Sequence, residues 1–261
     1  MTSRTRLTPD RYLELLVADG TRLADIAVGR LDEPVPTCPG WDVAEVVRHT
    51  GSVFNHKVAC IQIGRQPEKG EWQAAPPTGS DLVDWYRAAL AAIVQRLRSL
   101  SPSAPAYTWY PPEQDVAFWQ RRMAQEAVVH RVDAETAAGQ VLPVADDLAV
   151  DGVDEVLDVF LRHGFSTKEA AADPDLDLSR HADRSVLVRT GPHAWHVAVA
   201  YGEPEQVVLT RTGSPAQATV SGEPSELLLW LWGRRPDSAV AIAGDPAAAA
   251  ALRDMLSLAT Q

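Results

Sequence analysis

The stretch Cys38–Gly51, "CPGWDVAEVVRHTG", combines a helix start with a single histidine in an otherwise core-like pattern. Asp42 and Glu45 are spaced as a capping box, in which the aspartate accepts the first orphan amide and the glutamate reaches back. Apolar residues then recur at helical spacing as far as Ile63. The pattern therefore predicts a helix that begins at Asp42 and places His49 two turns inside it.

Helical periodicity extends outward from this stretch through the first half of the chain. Ser80 is the expected N-cap of a helix that ends near residue 100, and Pro-rich loops separate the segments. Four helices with short loops predict a helical bundle. Besides the helix at residue 42, the bundle segments are 9–29, 81–100 and 115–139. A fifth helix near residues 150–165 is expected to lie across the bundle or to bridge to the next part.

The pattern changes after about residue 175, where short β-branched runs are bounded by Gly and Pro, as in a meander of strands. We interpret this part as a small α+β domain that ends in a helix at 245–259. The predicted strands are "RSVLVRT", "AWHVAVAY", "EQVVLTR", "ATVSG" and "AVAIAG", with an apolar helix "PSELLLWLWGRR" between the last two. The fold class is therefore α+β, with a bundle domain at 1–170 and an α+β domain at 171–261.

Composition limits the possible functions. The net charge is −11, which argues against nucleic acid as the main partner, because phosphate binding needs a basic face.

No window approaches the roughly 18 uncharged apolar residues that mark a membrane span. The N-terminus lacks the apolar region of a signal peptide, so we expect a cytoplasmic protein. Abundant Ala, Arg and Asp with scarce Lys suggest a high-GC genome.

The strongest candidate for chemistry is a pair on the fourth helix. Glu126 and His130 are spaced i, i+4, so their side chains project from one face and suit a single divalent ion. His49 supplies a third ligand if the two helices pack side by side. Three protein ligands leave one coordination position open, which is the catalytic form of a zinc site. Such spacing also occurs on ordinary solvated helix faces, and a single inward histidine also occurs in cores.

Two further residues fit a supporting role on this helix. Arg122 precedes Glu126 by four residues and is placed to orient its carboxylate, and Asp133 is placed to hold the second nitrogen of His130. Both are equally compatible with ordinary helix-surface charges.

Three segments resemble one family. "VPTCPGWDVAEVVRHTGSV" resembles the N-terminal signature of the mycothiol-dependent maleylpyruvate isomerase family, within the DinB-like metalloenzyme superfamily. "RRMAQEAVVHRVDAE" resembles its second signature, Glu-x-x-x-His followed by Arg-x-Asp-Ala-Glu. "TVSGEPSELLLWLWGRR" resembles the stretch before the family's last strand and helix. The resemblance implies that the metal ligands are His49, Glu126 and His130.

The resemblance also implies a zinc-type ion and mycothiol as a thiol cosubstrate. Only the thiolate is a good nucleophile, and a Zn²⁺ ion favours that form. With maleylpyruvate, addition of the thiol would allow rotation about the former double bond, and its expulsion would give the trans isomer, fumarylpyruvate. With an alkyl halide, an epoxide or an activated sugar, the thiol would stay attached, as in a transferase.

Several other residues carry groups that could take part in binding. Arg234 is the candidate catalytic residue that binds a substrate carboxylate, with Arg235 beside it, although an arginine at a helix C-terminus is also favoured by the dipole. His193 and His196 are possible ligands of a second site or plain strand residues. His56 is expected at the edge of the cleft and not as a ligand.

Cys38 has no base placed beside it, and neither it nor Cys60 belongs to a CxxC pattern, so we expect two structural thiols.

Two other classes of function remain open at this stage. One is a binding or sensing module without catalysis, and the other is a zinc hydrolase that activates water. The expected partners are a low-molecular-weight thiol and a small electrophile, without nucleic acid or membrane. The expected assembly is a monomer or a homodimer.

Overall fold

The computed structural model describes residues 5–75, 81–166, 183–200 and 206–260. The chain divides into two compact units, one comprising Leu7–Leu142 and the other beginning at Pro143. The fifth predicted helix therefore belongs to the second unit. The boundary predicted at residue 170 and the predicted cap Ser80 lie outside the described residues.

The first unit is the predicted helical bundle. Its helix α1 packs on α3 and α4, and α2 packs on the same two helices. Each helix thus has two main neighbours, as in an antiparallel bundle. The bounds are α1 Pro9–Ala27, α2 Val43–Ile63, α3 Asp81–Arg98 and α4 Val116–Ala137.

The starts of α2 and α4 are fixed in the same way. The Asp42 carboxylate accepts from the amide of Glu45 at 2.8 Å, and Asp115 accepts from Phe118 at 3.1 Å. Each capping aspartate also forms an isolated antiparallel bridge to a proline of the preceding loop. The second half of the predicted capping box is not formed, because the Glu45 carboxylate accepts from Arg48 instead.

An ion-pair network in the bundle ties α4 to α1. The guanidinium of Arg131 lies 3.0 Å from Asp19 and 2.6 Å from Glu135, and Glu135 also pairs with Arg22 at 3.0 Å. The Glu135 side chain is fully buried, so these partners satisfy a carboxylate that has no access to water. This network fixes the rotation of α4 about its axis.

The second unit joins helices to one sheet. Helix α5 packs on α6, and α5 continues as a π-helix at Val156–Arg162. The elements are α5 Asp146–Glu155, β1 Ser185–Thr190, β2 His193–Ala200, β3 Gln206–Thr210, β4 Ala218–Ser221, α6 Pro224–Leu231, β5 Ala241–Gly244 and α7 Pro246–Ala259.

The sheet has the order β3-β2-β1-β4-β5. The first three strands form the predicted antiparallel meander, with Val188 opposite Trp195. Strand β4 then crosses to the far side of β1 and pairs with it in parallel, so the sheet is mixed and not a simple meander. The α+β class predicted from the sequence is confirmed.

Among the described residues, no helix combines the length and the apolar character needed to cross a bilayer.

Candidate functional site

The structure brings His49, Glu126 and His130 together, although 77 residues separate the first two. One ligand atom from each residue lies within 4.8 Å of the others. Oε1 of Glu126 is 3.2 Å from Nε2 of His49 and 3.4 Å from Nε2 of His130. Three donor atoms therefore converge on one point, as the sequence pattern requires.

The packing of α2 against α4 produces this convergence. Glu126 and His130 share one face of α4 because they are one helical turn apart. His49 of α2 faces them, while Lys57, further along α2, lies over the ring of Trp119, earlier in α4. The two helices thus run antiparallel, and their facing surfaces form one continuous seam.

The cluster lies at the rim of the bundle. The side chain of His49 is 41% exposed, whereas those of Glu126 and His130 are 14% and 10% exposed. The sequence pattern predicts an inward His49, but the ring sits at the outer edge of the seam. One side of the cluster is therefore accessible in a way that a core site is not.

Asp133 orients His130, as predicted. Its carboxylate Oδ2 is 3.0 Å from Nδ1 of His130, and its Oδ1 accepts from the hydroxyl of Thr37 at 2.8 Å. A proton on Nδ1 serves this contact and leaves Nε2 directed at Glu126. Asp133 is fully buried, so its position is fixed by these partners.

Two further side chains shape the cluster. Arg122 donates to Oε2 of Glu126 at 2.9 Å, so the second oxygen of this carboxylate is occupied and Oε1 faces the histidines. The ring of Trp41 lies 5.2 Å from that of His49 and stacks 6.3 Å from that of His130. These contacts restrict the rotation of both imidazoles.

The protonation states of the cluster are coupled. Although burial alone raises the pKa of Glu126, hydrogen bonds from His130 and His49 and the charge of Arg122 hold that pKa well below its usual range. Burial alone lowers the pKa of His130, but hydrogen bonds to Asp133 and Glu126 raise it to about 9. In this arrangement a proton on His130 balances the two carboxylates that flank it.

His56 does not join the cluster. Its Nδ1 is 3.1 Å from Nζ of Lys57 and 3.6 Å from Sγ of Cys60, and its ring packs on Trp72. Cys60 is buried, and Cys38 is partly exposed. The two cysteines form no disulfide with each other.

The candidate Arg234 lies in the second unit, directly after α6. Its Nη1 donates to the carbonyl of Trp232 at 2.7 Å, and its guanidinium lies 6.0 Å from the Trp232 ring. Arg235 pairs with Glu226 at 2.9 Å. These contacts fit an arginine at a helix C-terminus, and a role for Arg234 toward substrate stays a prediction.

His196 comes three positions after His193 in β2. Because successive side chains of a strand point to opposite faces, the two histidines lie on opposite faces of the sheet. His193 stacks near Trp195, and Nε2 of His196 is 3.2 Å from the carbonyl of Pro215. Within the described ranges, the only group of three potential metal ligands is the one at His49.

Sequence reasoning did not find Thr37 or the position of Trp41 over the imidazoles. Both precede α2 within the "VPTCPGWD" segment, which carries the family resemblance. The family resemblance therefore already pointed to this segment. No rule of sequence spacing, however, connects a loop threonine to an aspartate 96 residues later.

The fold and the cluster together define a helical bundle with a histidine–carboxylate site, followed by a small α+β domain. The "Mycothiol maleylpyruvate isomerase N-terminal domain" matches residues 13–135, and the "MDMPI C-terminal domain" matches residues 147–251. The chain belongs to the mycothiol-dependent maleylpyruvate isomerase family.

Two solved structures are similar in fold. They are the mycothiol-dependent maleylpyruvate isomerase and a mutant of it in which alanine replaces a histidine. In both cases the TM-score is 0.59 at 13% sequence identity, and the match covers 92% of this chain and 95% of the other. At this identity the likeness establishes the fold alone. No curated protein matches the chain significantly.

Proposed function

We propose that the chain is a metal-dependent enzyme that uses mycothiol as a cosubstrate, with His49, Glu126 and His130 as the ligands of Zn²⁺ or another divalent ion. The observation that carries this proposal is the convergence of three ligand atoms within 4.8 Å at the rim of the bundle. Membership in the family supports mycothiol as the thiol.

The residues present fit such an ion. Two imidazole nitrogens and one carboxylate oxygen are the donors that borderline ions such as Zn²⁺ accept in catalytic sites. A hydrogen bond from the second nitrogen of a ligating histidine to a carboxylate is typical of such sites, and Asp133 provides it for His130. Arg122 leaves Oε1 of Glu126 as the oxygen that faces both imidazoles.

When bound, the ion would supply a Lewis acid that favours the thiolate form of a thiol near neutral pH. The protein's own part is positional. His49 lies at the exposed side of the cluster, where a thiol has access, while the ring of Trp41 packs against both imidazoles. Asp133 holds the proton of His130 at Nδ1.

The reaction class follows from the fate of the thiol. If the electrophile carries a cis double bond conjugated to carbonyl groups, the thiol adds and leaves again, and the result is an isomerisation. If it carries a leaving group or an epoxide, the thiol remains attached and the enzyme is a transferase. The family description favours the isomerase, with maleylpyruvate or a related compound as substrate.

The test is isothermal titration of mycothiol into zinc-loaded protein. We compare the wild type with His130→Ala and with His193→Ala, which removes a strand histidine outside the cluster. Saturable binding that is lost only in His130→Ala supports the proposal. Zinc binding without any thiol binding would favour a hydrolase, and absence of both would favour a binding module.

A further inference from the structure

Lys57 is a cation on the same seam as the cluster. It lies eight residues after His49, an offset of about 12 Å along α2. Its Nζ is 5.2 Å from the centroid of the Trp119 ring on α4. On α4, Arg122 lies between Trp119 and Glu126, so Lys57 follows Arg122 along the seam.

The described groups in direct contact with the ammonium of Lys57 are two aromatic rings, those of His56 and Trp119. The ammonium donates to Nδ1 of His56 at 3.1 Å, and this nitrogen has to accept because an ammonium has no lone pair. Burial and the charge of Lys57 lower the pKa of His56 to about 4, so this imidazole is uncharged near neutral pH. Trp72 packs edge-on against His56 at 4.8 Å.

No carboxylate pairs with Lys57 within the part of the chain that the structure describes. An ammonium makes three hydrogen bonds, and the described structure satisfies one of them, at His56. Arg122 is different, because its guanidinium is paired with Glu126 at 2.9 Å. Lys57 therefore carries a charge that its own unit does not neutralise by contact.

A partly buried ammonium group is unfavourable unless an opposite charge pairs with it. Removing an unpaired ion from water is energetically costly. Burial accordingly lowers the pKa of Lys57, and the charge of Arg122 adds to this effect, whereas Cys60 and, to a smaller extent, Glu126 raise it. Acidic residues outnumber basic ones by 35 to 24, so an uncompensated lysine here is not the result of a basic surface.

We propose that Lys57 binds a carboxylate of the electrophilic substrate and thereby positions it along the seam from the metal cluster. This inference rests on the proposed function of that cluster. The rings of Trp119 and Trp72 near this lysine suit the role, because a less polar surrounding strengthens an ion pair formed there. Trp119 is held in place by its own hydrogen bond to the carbonyl of Tyr107 at 2.9 Å.

The test uses maleate, a small dicarboxylate, as the probe. Its dissociation constant is measured by titration calorimetry on zinc-loaded protein and on metal-free protein. The variants are Lys57→Met, which keeps the length of the side chain, and Lys57→Arg, which keeps its charge. Lys69→Met serves as the matched control, because it removes an exposed loop lysine and changes the net charge equally.

Maleate is expected to bind wild type, Lys69→Met and, more weakly, Lys57→Arg. Lys57→Met should bind it at least about tenfold more weakly, since a charge-assisted hydrogen bond is lost. Zinc stoichiometry should be equal in all four proteins.

Equal maleate affinity in wild type and Lys57→Met would overturn the inference, and so would the absence of maleate binding by the wild type. A wild-type protein that binds no stoichiometric zinc would instead count against the proposed function. Maleate binding by metal-free protein separates the two failures, because Lys57 is not a metal ligand.

Discussion

The carboxylate of Asp133 holds Nδ1 of His130 at 3.0 Å and is itself held by the hydroxyl of Thr37 at 2.8 Å. One buried aspartate thus links the loop before α2 to His130 on α4. The contact sets which nitrogen of His130 carries the proton. Nε2, the nitrogen that faces Glu126, is the atom that the proposed metal site would use.

Asp133→Asn tests this relationship. If Thr37 still donates to Oδ1, the amide group presents N–H to Nδ1 of His130, and the imidazole proton moves to Nε2. We expect metal affinity to fall by about 10- to 100-fold, as is typical when such a contact to a ligating histidine is lost. Competition with a chelator measures the change. Asp84→Asn, on an exposed part of α3, should leave the affinity unchanged.

Metal affinity should depend on pH through His130. In the metal-free protein, hydrogen bonds to Asp133 and Glu126 outweigh the effect of burial and raise the pKa of His130 from 6.5 to about 9. The stabilisation from its proton is therefore complete below pH 6.5 and is lost as the pH rises through 9. A metal has to displace this proton.

We therefore expect the apparent affinity for the metal to rise by up to about tenfold per pH unit between pH 6.5 and pH 9, the usual and the raised pKa of His130. The stabilisation by zinc, measured as the increase in Tm over metal-free protein, should grow over the same range. Glu126 is ionised throughout and contributes no slope there. An affinity that is flat between pH 6.5 and pH 9 would exclude His130 as a ligand.

Arg131 and Glu135 of the second signature belong to the ion-pair network that ties α4 to α1. Arg131→Met would deprive the fully buried Glu135 and the nearby Asp19 of a shared cation. We expect the free energy of unfolding to fall by up to about 3–5 kcal/mol, since Asp19 and the buried Glu135 lose a shared cation and only Arg22 remains paired with Glu135. Urea denaturation measures it.

The control for this variant is Arg30→Met, which breaks an exposed pair with Glu33 and should change the free energy of unfolding by less than about 1 kcal/mol. Equal effects of the two substitutions would mean that the buried network does not stabilise the bundle.

Gly51 permits close packing of α2 on α3. A Cβ at this position would collide with the ring of Trp85, which is buried in the core. Gly51→Ala should therefore destabilise the bundle by about 1–3 kcal/mol despite the higher helix propensity of alanine. Thermal unfolding measures the change.

Gly20→Ala is the matched comparison in α1. Its Cβ would approach the end of the Leu90 side chain at 2.7 Å, and that side chain can rotate away. The gain of about 0.5–1 kcal/mol for alanine in a helix should offset much of the strain. A larger loss of Tm in Gly20→Ala than in Gly51→Ala would contradict this reading of the packing.

Local signals account for what the sequence predicts well. Capping by Asp42 and helical periodicity define α2, and the i, i+4 spacing places Glu126 and His130 on one face of α4. These features depend on residues within a turn or two of one another. That His49 joins this pair depends on how two helices pack, which local spacing does not determine. The family resemblance predicted it.

Non-local features were not predictable in the same way. The hydrogen bond from Thr37 to Asp133 joins a loop to a helix, and the parallel pairing of Val186 with Ala218 requires a crossover. Neither feature produces a periodic pattern of residues in the sequence. The exposure of His49 depends on where the seam ends, which helical spacing alone does not specify.

The metal content of purified protein tests the central claim most directly. Zinc is measured by elemental analysis in wild type, His49→Ala and His193→Ala, with circular dichroism to verify that the helices remain. We expect about one zinc per chain in wild type and His193→Ala, and none in a folded His49→Ala. Stoichiometric zinc in folded His49→Ala would contradict the assignment of the site.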